Sequence, residues 1–175
     1  MEKEKTVEID TVPKMFWNGV LTRGPNTIFR QKDFGIWKEL TWAELGRAAR
    51  ETGLGLVALG YEPGEIVSVL SNTRMEWVFA DLGALGAGGV VSGIYPTDAA
   101  PQVEYLMSDS GSVCVFVEDD EQLDKVLEVR ERLPRLRRII VFDMKGLDEL
   151  NDPQVMSLEQ LRLLGRDYDA AHPVE

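Results

Sequence analysis

The stretch that decides the fold reads Glu65-Ile66-Val67-Ser68-Val69-Leu70-Ser71-Asn72-Thr73-Arg74-Met75-Glu76-Trp77, and it is followed by Gly88-Gly89-Val90-Val91-Ser92-Gly93-Ile94-Tyr95-Pro96-Thr97. The two apolar runs are short and rich in β-branched residues, so each predicts a buried strand. Between them Trp77, Ala80 and Ala84 share one side of a helix and Val78, Leu82 and Leu85 another, which predicts a largely buried crossover. Similar runs return near Val113 and Ile139, giving expected strands at 66–70, 90–95, 113–117 and 138–142. Strands separated by helical segments specify an α/β fold with a mostly parallel sheet flanked by helices, with β-α repeats from about residue 66. Runs that are apolar on both faces suit strands covered above and below.

Working outward, residues 12–21 form a short amphipathic piece, and Thr27 to Leu40 suggests a hairpin turning at Gly35. Thr41-Trp42-Ala43-Glu44 is a capping box opening a helix with Leu45, Ala49, Thr52, Leu56 and Leu59 on one face. Gly53 and Gly55 are expected to weaken that helix. Thr73 and Glu76 form a second box, and Val103, Leu106 and Met107 mark the second crossover. The third crossover, Asp120 to Leu133, turns Leu123, Val126 and Leu127 inward, exposes Glu121/Lys125 and Glu128/Arg132 as pairs, and closes at Pro134. A polar loop from Gly146 to Pro153 leads to a third box, Ser157 to Gln160, and a short helix ending by Gly165. Residues 1–40 are therefore read as an extension and hairpin, and 41–175 as a partial α/β lobe.

Composition narrows the function. With 175 residues and 44% hydrophobic content, the chain can bury one sizeable core. Its 19 basic and 30 acidic residues give a net charge of -11, which argues against nucleic-acid binding and disfavours unaided attachment to anionic membranes. The basic cluster Arg135-Leu136-Arg137-Arg138 is read as the solvated lead into a strand. Cys114 lies in an apolar run, as a buried structural thiol would, and His172 leaves no internal histidine for a triad. The acidic run Glu118 to Glu121 lacks EF-hand spacing and fits a helix start, while Asp81 is expected to face a partner or the wet edge of its helix. Trp17, Trp37, Trp42 and Trp77 are expected in core or interface packing. No signal peptide or membrane-spanning run is evident, so a cytoplasmic location is expected.

Leu40 to Leu45, the Leu59 to Glu65 turn, Ser71 to Trp77, Ala84 to Thr97 and Asp109-Ser110-Gly111 together resemble the N-terminal part of the AMP-forming acyl-CoA synthetases, or adenylate-forming enzymes. The Ile94 to Thr97 stretch and Asp152 to Met156 look most like the bacterial long-chain fatty acid branch. The resemblance implies ATP, Mg²⁺ and coenzyme A as cofactors of the full-length enzyme, a fatty acid as substrate, the remainder of the same enzyme as partner, and a homodimer formed through N-terminal segments. It also implies a location peripheral to the membrane. The family's Ser/Thr/Gly-rich phosphate loop ending in Pro-Lys is missing from this sequence, and so is its Tyr-Gly-x-Thr-Glu segment. Gly83, Gly86, Gly88, Gly89 and Gly93 fit a helix end and close strand packing instead. The chain is thus expected to be an N-terminal segment that is inactive alone.

The resemblance further implies that Tyr95, Pro96 and Thr97 lie near coenzyme A, although Asp98-Ala99-Ala100-Pro101 departs from the family's usual order. The plainer reading of these residues is a strand-ending turn with Thr97 or Asp98 as a helix cap. Two other readings stay open: a free-standing flavodoxin-like binding or interaction module, and part of an aryl or amino acid activating enzyme.

Overall fold

A computed structural model of the chain describes residues 9–173. They divide into two compact units, the first ending at Arg47 and the second beginning at Ala48.

In the first unit, helix α1 (Val12–Arg23) is capped by the Thr11 hydroxyl, which accepts from the Lys14 amide. Strands β1 (Thr27–Asp33) and β2 (Ile36–Thr41) form the expected antiparallel hairpin, with Phe34 and Gly35 at the turn both at positive φ. Helix α2 (Trp42–Ala58) starts at the Thr41 box: Glu44 accepts from the Thr41 amide at 2.8 Å, and Thr41 Oγ1 accepts from the Glu44 amide at 3.3 Å. Phe16 stacks on Trp42 with ring centroids 6.2 Å apart, and the ring of Trp42 fills the space beside Gly19.

The second unit is built on a five-stranded, wholly parallel sheet of order β4-β3-β5-β6-β7. Its strands are β3 (Ile66–Leu70), β4 (Val90–Ile94), β5 (Cys114–Val117), β6 (Arg138–Val141) and β7 (Val155–Ser157). The connecting helices are α3 (Met75–Gly86), α4 (Ala100–Ser110) and α5 (Asp120–Val129), and α6 (Leu158–Ala171) follows β7. The first four strands stand where the apolar runs place them. The fifth, β7, lies between the polar loop that ends at Pro153 and the Ser157 box, where the sequence reading places no strand.

Pleating divides the strand side chains between two layers. Leu70, Ile94, Val115, Val117, Ile139 and Val141 pack with Val103 and Met107 of α4 and Leu123 and Val126 of α5. The opposite parity, including Val67, Val69 and Phe116, is fully buried on the side of α3, where Trp77 lies over Gly93. Within the helical layer on that side, α2 meets α3 where a Cβ on Gly53 would fall 2.6 Å from the Gly83 carbonyl oxygen. It meets α6 where a Cβ on Gly165 would fall 1.9 Å from the Glu51 carbonyl oxygen.

These contacts correct three expectations. Gly53 and Gly55 do not mark a weak point of α2 but the places where neighbouring backbones touch it. Gly83 is not a helix end. Gly165 does not stop α6, which runs on to Ala171, because the missing side chain serves packing and not termination. The Ser157 box is present in full, with Ser157 and Gln160 bonded reciprocally.

At the edge of the sheet, Val90 donates to the Glu65 carbonyl at 2.9 Å. By alternation the peptide groups of Val91 and Gly93 point away from β3, and among the described strands none pairs with them.

Candidate functional site

The polypeptide leaves β3 for β4 on one side and leaves β5 for β6 on the other, so the connections diverge between β3 and β5. In open parallel sheets the crevice beyond the carboxyl ends of such strands is the natural ligand position. The structure opens a cleft of about 360 Å³ one strand over, beyond the carboxyl ends of β3 and β4, lined by Ser71, Asn72, Thr73, Trp77 and the run Gly93 to Pro96.

One wall is the turn after β3, and Glu118 at the end of β5 holds it. The Glu118 carboxylate accepts from the Asn72 amide at 2.6 Å, from Asn72 Nδ2 at 3.0 Å and from Ser71 Oγ at 3.2 Å. Arg74 completes the arrangement, 2.6 Å from Glu76 and 3.6 Å from Glu118, with its guanidinium over the Phe142 ring. The hydrogen bond to Glu76, opposed by burial and helped by the charges of Glu76 and Glu118, raises the Arg74 pKa. This is why the Thr73/Glu76 box does not form: Arg74 takes the Glu76 carboxylate, and the N-terminus of α3 has no side-chain cap.

The other wall is the turn after β4. Asp98 donates its amide to the Tyr95 carbonyl at 3.0 Å, so Tyr95 and Pro96 do form a strand-ending turn. The expected cap at Thr97 or Asp98 is not found, since α4 is capped by Ala99 without a side-chain bond and Pro101 sits in its first turn. Lys125 of α5 donates to the Pro96 carbonyl at 2.6 Å and to Gln122 at 3.0 Å, fixing the turn from below. Tyr95 is 77% exposed and its ring is presented to solvent at the cleft mouth. Tyr95 and Pro96 line the cleft, whereas Thr97 is exposed outside its lining.

The lining is aromatic and neutral polar. None of its residues is cationic, so it does not suit the triphosphate of ATP, whose binding calls for basic groups, amides and a metal aimed at the phosphate oxygens. Sequence reasoning finds Tyr95 and Pro96 but misses Glu118 and Lys125, which topology brings in from other strands and helices.

Other candidates have structural roles. Cys114 is buried, and burial pushes its thiol far up in pKa. Asp119 caps α5 by accepting from Gln122. Arg137 pairs with Glu65, and Arg132 reaches Glu104 at 2.8 Å instead of its expected partner Glu128. Lys125 and Glu121 form the expected pair at 3.4 Å. Asp81 is half-buried, which raises its pKa. Of the four tryptophans, Trp37 is 61% exposed and leaves the packing role expected of it. Among the described residues no helix is long and apolar enough to cross a membrane.

Residues 20–169 match the AMP-binding enzyme family. A long-chain-fatty-acid–CoA ligase of Mycobacterium bovis is 32% identical over 144 residues, which are 82% of this chain and 24% of that protein. A long-chain-fatty-acid–CoA ligase of Bos taurus is 27% identical over 157 residues, 90% of this chain and 21% of that one. The chain thus spans about a fifth to a quarter of the length of these curated relatives. Among solved structures, an anthranilate CoA ligase in complex with anthranoyl-AMP superposes with a TM-score of 0.75 at 23% identity, over 86% of this chain and 27% of that one. Acetoacetyl-CoA synthetase from Streptomyces lividans superposes with a TM-score of 0.77 at 25% identity, over 86% and 24%.

Proposed function

Because the chain belongs to the AMP-binding enzyme family, we propose that it is the N-terminal α/β lobe of a long-chain fatty acid–CoA ligase and frames a site whose phosphate-handling groups lie elsewhere in that enzyme. In the complete ligase a fatty carboxylate oxygen attacks the α-phosphorus of ATP and pyrophosphate leaves. The thiol of coenzyme A then attacks the acyl carbon and AMP leaves. Mg²⁺ bound in the complete enzyme would screen the phosphate charge, and the cleft lining of this chain has no carboxylate to hold it. The observation that carries this reading is the family match over 20–169 in a sequence that has no Ser/Thr/Gly-rich loop ending in Pro-Lys. The names of the relatives support a long-chain acid as substrate. The homodimer and the membrane-peripheral location belong to the same proposal.

Within it, Tyr95, Pro96 and Thr97 stand beside coenzyme A, on a turn whose position Lys125 sets. The test is ATP–pyrophosphate exchange with palmitate. The 175-residue chain alone is expected to give none and the complete ligase a robust signal; exchange by the chain alone overturns the division of labour. A preference of the complete ligase for benzoate over palmitate overturns the long-chain assignment. Tyr95→Ala in the complete ligase is expected to raise KM for coenzyme A while leaving exchange intact.

A further inference from the structure

The hairpin of the first unit ends in an apolar point. Phe34 at its apex is 100% exposed, Ile36 70% and Trp37 61%, although each of the two aromatic rings carries on the order of 150–250 Å² of surface that proteins ordinarily bury. Exposed large apolar side chains gathered at one tip mark a candidate interaction site. The charged residues behind it are of both signs, with one more basic than acidic. Arg30, Lys32 and Lys38 stand on the two strands, with Gln31 opposite Lys38 and Lys32 opposite Trp37, and the Lys32 ammonium lies 5.9 Å from the centre of the Trp37 ring.

Resting on the membrane-peripheral reading of the proposed function, we propose that this hairpin tip docks on an anionic lipid bilayer, with Phe34, Ile36 and Trp37 immersed at the boundary between headgroups and acyl chains. Spacing supports the assignment. Lys32 and Lys38 lie two residues from Phe34 and Ile36 respectively, about 7 Å along each strand, which sets their charges at headgroup level when the tip enters about 5–10 Å. A tryptophan at that depth keeps its ring in the apolar zone and its indole N–H near water.

Charge is the second support. The chain as a whole carries -11, but residues 27–41 hold three basic side chains against two acidic ones, Asp33 and Glu39. Glu39 is drawn to Arg30 at 2.8 Å, towards the base of the hairpin. Fields of exposed charges fade over about 10 Å at 0.1 M salt, so the charges of the segment in contact weigh most in its attraction. The proposal departs from the expectation drawn from net charge. The other basic cluster offers no such combination, because Leu133 and Leu136 beside its arginines are buried.

The test is co-sedimentation of the full chain with phosphatidylcholine vesicles, with and without phosphatidylglycerol. Binding is expected only with the anionic lipid and should weaken as salt rises. The triple variant Phe34→Ser, Ile36→Ser, Trp37→Ser is expected to lose roughly tenfold or more in partitioning, and Lys32→Gln with Lys38→Gln to lose the anionic preference. An unchanged circular dichroism spectrum keeps either loss attributable to the surface. Brominated lipids should quench Trp37 fluorescence in a variant whose other tryptophans are phenylalanine. No binding by the wild type, or equal binding by the triple variant, overturns the proposal. So does self-association in the absence of lipid that the triple variant abolishes, which would make the tip a protein contact.

Discussion

Replacing Gly165 by alanine tests whether α2 and α6 pack backbone to backbone. Alanine is the better helix former by about 1 kcal/mol, so propensity alone makes Gly165→Ala stabilising. The structure opposes this: the new Cβ would sit 1.9 Å from the Glu51 carbonyl oxygen, 2.8 Å from its carbonyl carbon and 2.9 Å from the Gly55 nitrogen. All three are backbone atoms of a packed helix and cannot rotate aside. Relief requires α6 to retreat by about 1 Å or more in an interior packed at crystal density. That retreat also strains the Arg162 to Glu51 ion pair, now 2.6 Å long. Because the overlap is between backbone atoms, the cost falls in the upper part of the overpacking range, about 2–3 kcal/mol, and less the propensity gain of about 1 kcal/mol a net loss of about 1–2 kcal/mol is expected. For a chain of this size that lowers Tm by roughly 2–8 °C. Gly86→Ala is the matched control. Nothing lies within 4 Å of its Cβ position, and it should gain up to about 1 kcal/mol. Thermal and urea unfolding followed by circular dichroism read both. A Gly165→Ala protein as stable as wild type, or a Gly86→Ala protein that falls equally, would refute the packing argument.

Glu51 is 8% exposed and accepts from Arg162 and Arg166, so Glu51→Gln should cost about 1–2 kcal/mol in urea unfolding, the estimate being discounted because both arginines reach solvent. Tyr61 is buried, donates to the Glu65 carbonyl at 2.5 Å, and has its pKa pushed up to about 12, chiefly by burial. A raised pKa means that the native state holds the proton more tightly, so the stabilisation is complete below the ordinary tyrosine value of about 10 and is lost as pH rises towards about 12. Stability measured across that alkaline range should fall, and Tyr61→Phe should flatten this part of the profile. Lys125→Met removes the ammonium from the Pro96 carbonyl, and amide exchange at Asp98, which closes the Tyr95 turn, should quicken by roughly tenfold.

The sheet is legible where its strands are continuous β-branched runs, as at Ile66 to Leu70 and Ile139 to Val141. It is hidden at β7, where three residues after Pro153 carry too little pattern to separate from a loop. Glycine misleads in the helices because propensity sees only its flexibility, while the fold uses its lack of a side chain at Gly53, Gly83 and Gly165. The Thr73/Glu76 box fails for a related reason: its carboxylate is within reach of Arg74, a competitor that a spacing rule does not weigh. For the cleft, Tyr95 and Pro96 announce a turn in the sequence. Glu118 and Lys125, which hold the two walls, become neighbours of that turn only when the crossovers bring distant residues together.

The two margins of the parallel sheet are unlike. The β7 margin is three residues long and closely preceded by Pro153, which has no amide hydrogen to share. The β4 margin is five residues long, lies within a stretch from Leu82 to Thr97 without a single charge, and turns the peptides of Val91 and Gly93 outward. The sheet therefore has a direction: one rim discourages further strands, and the other is a template on which a neighbouring strand can be laid.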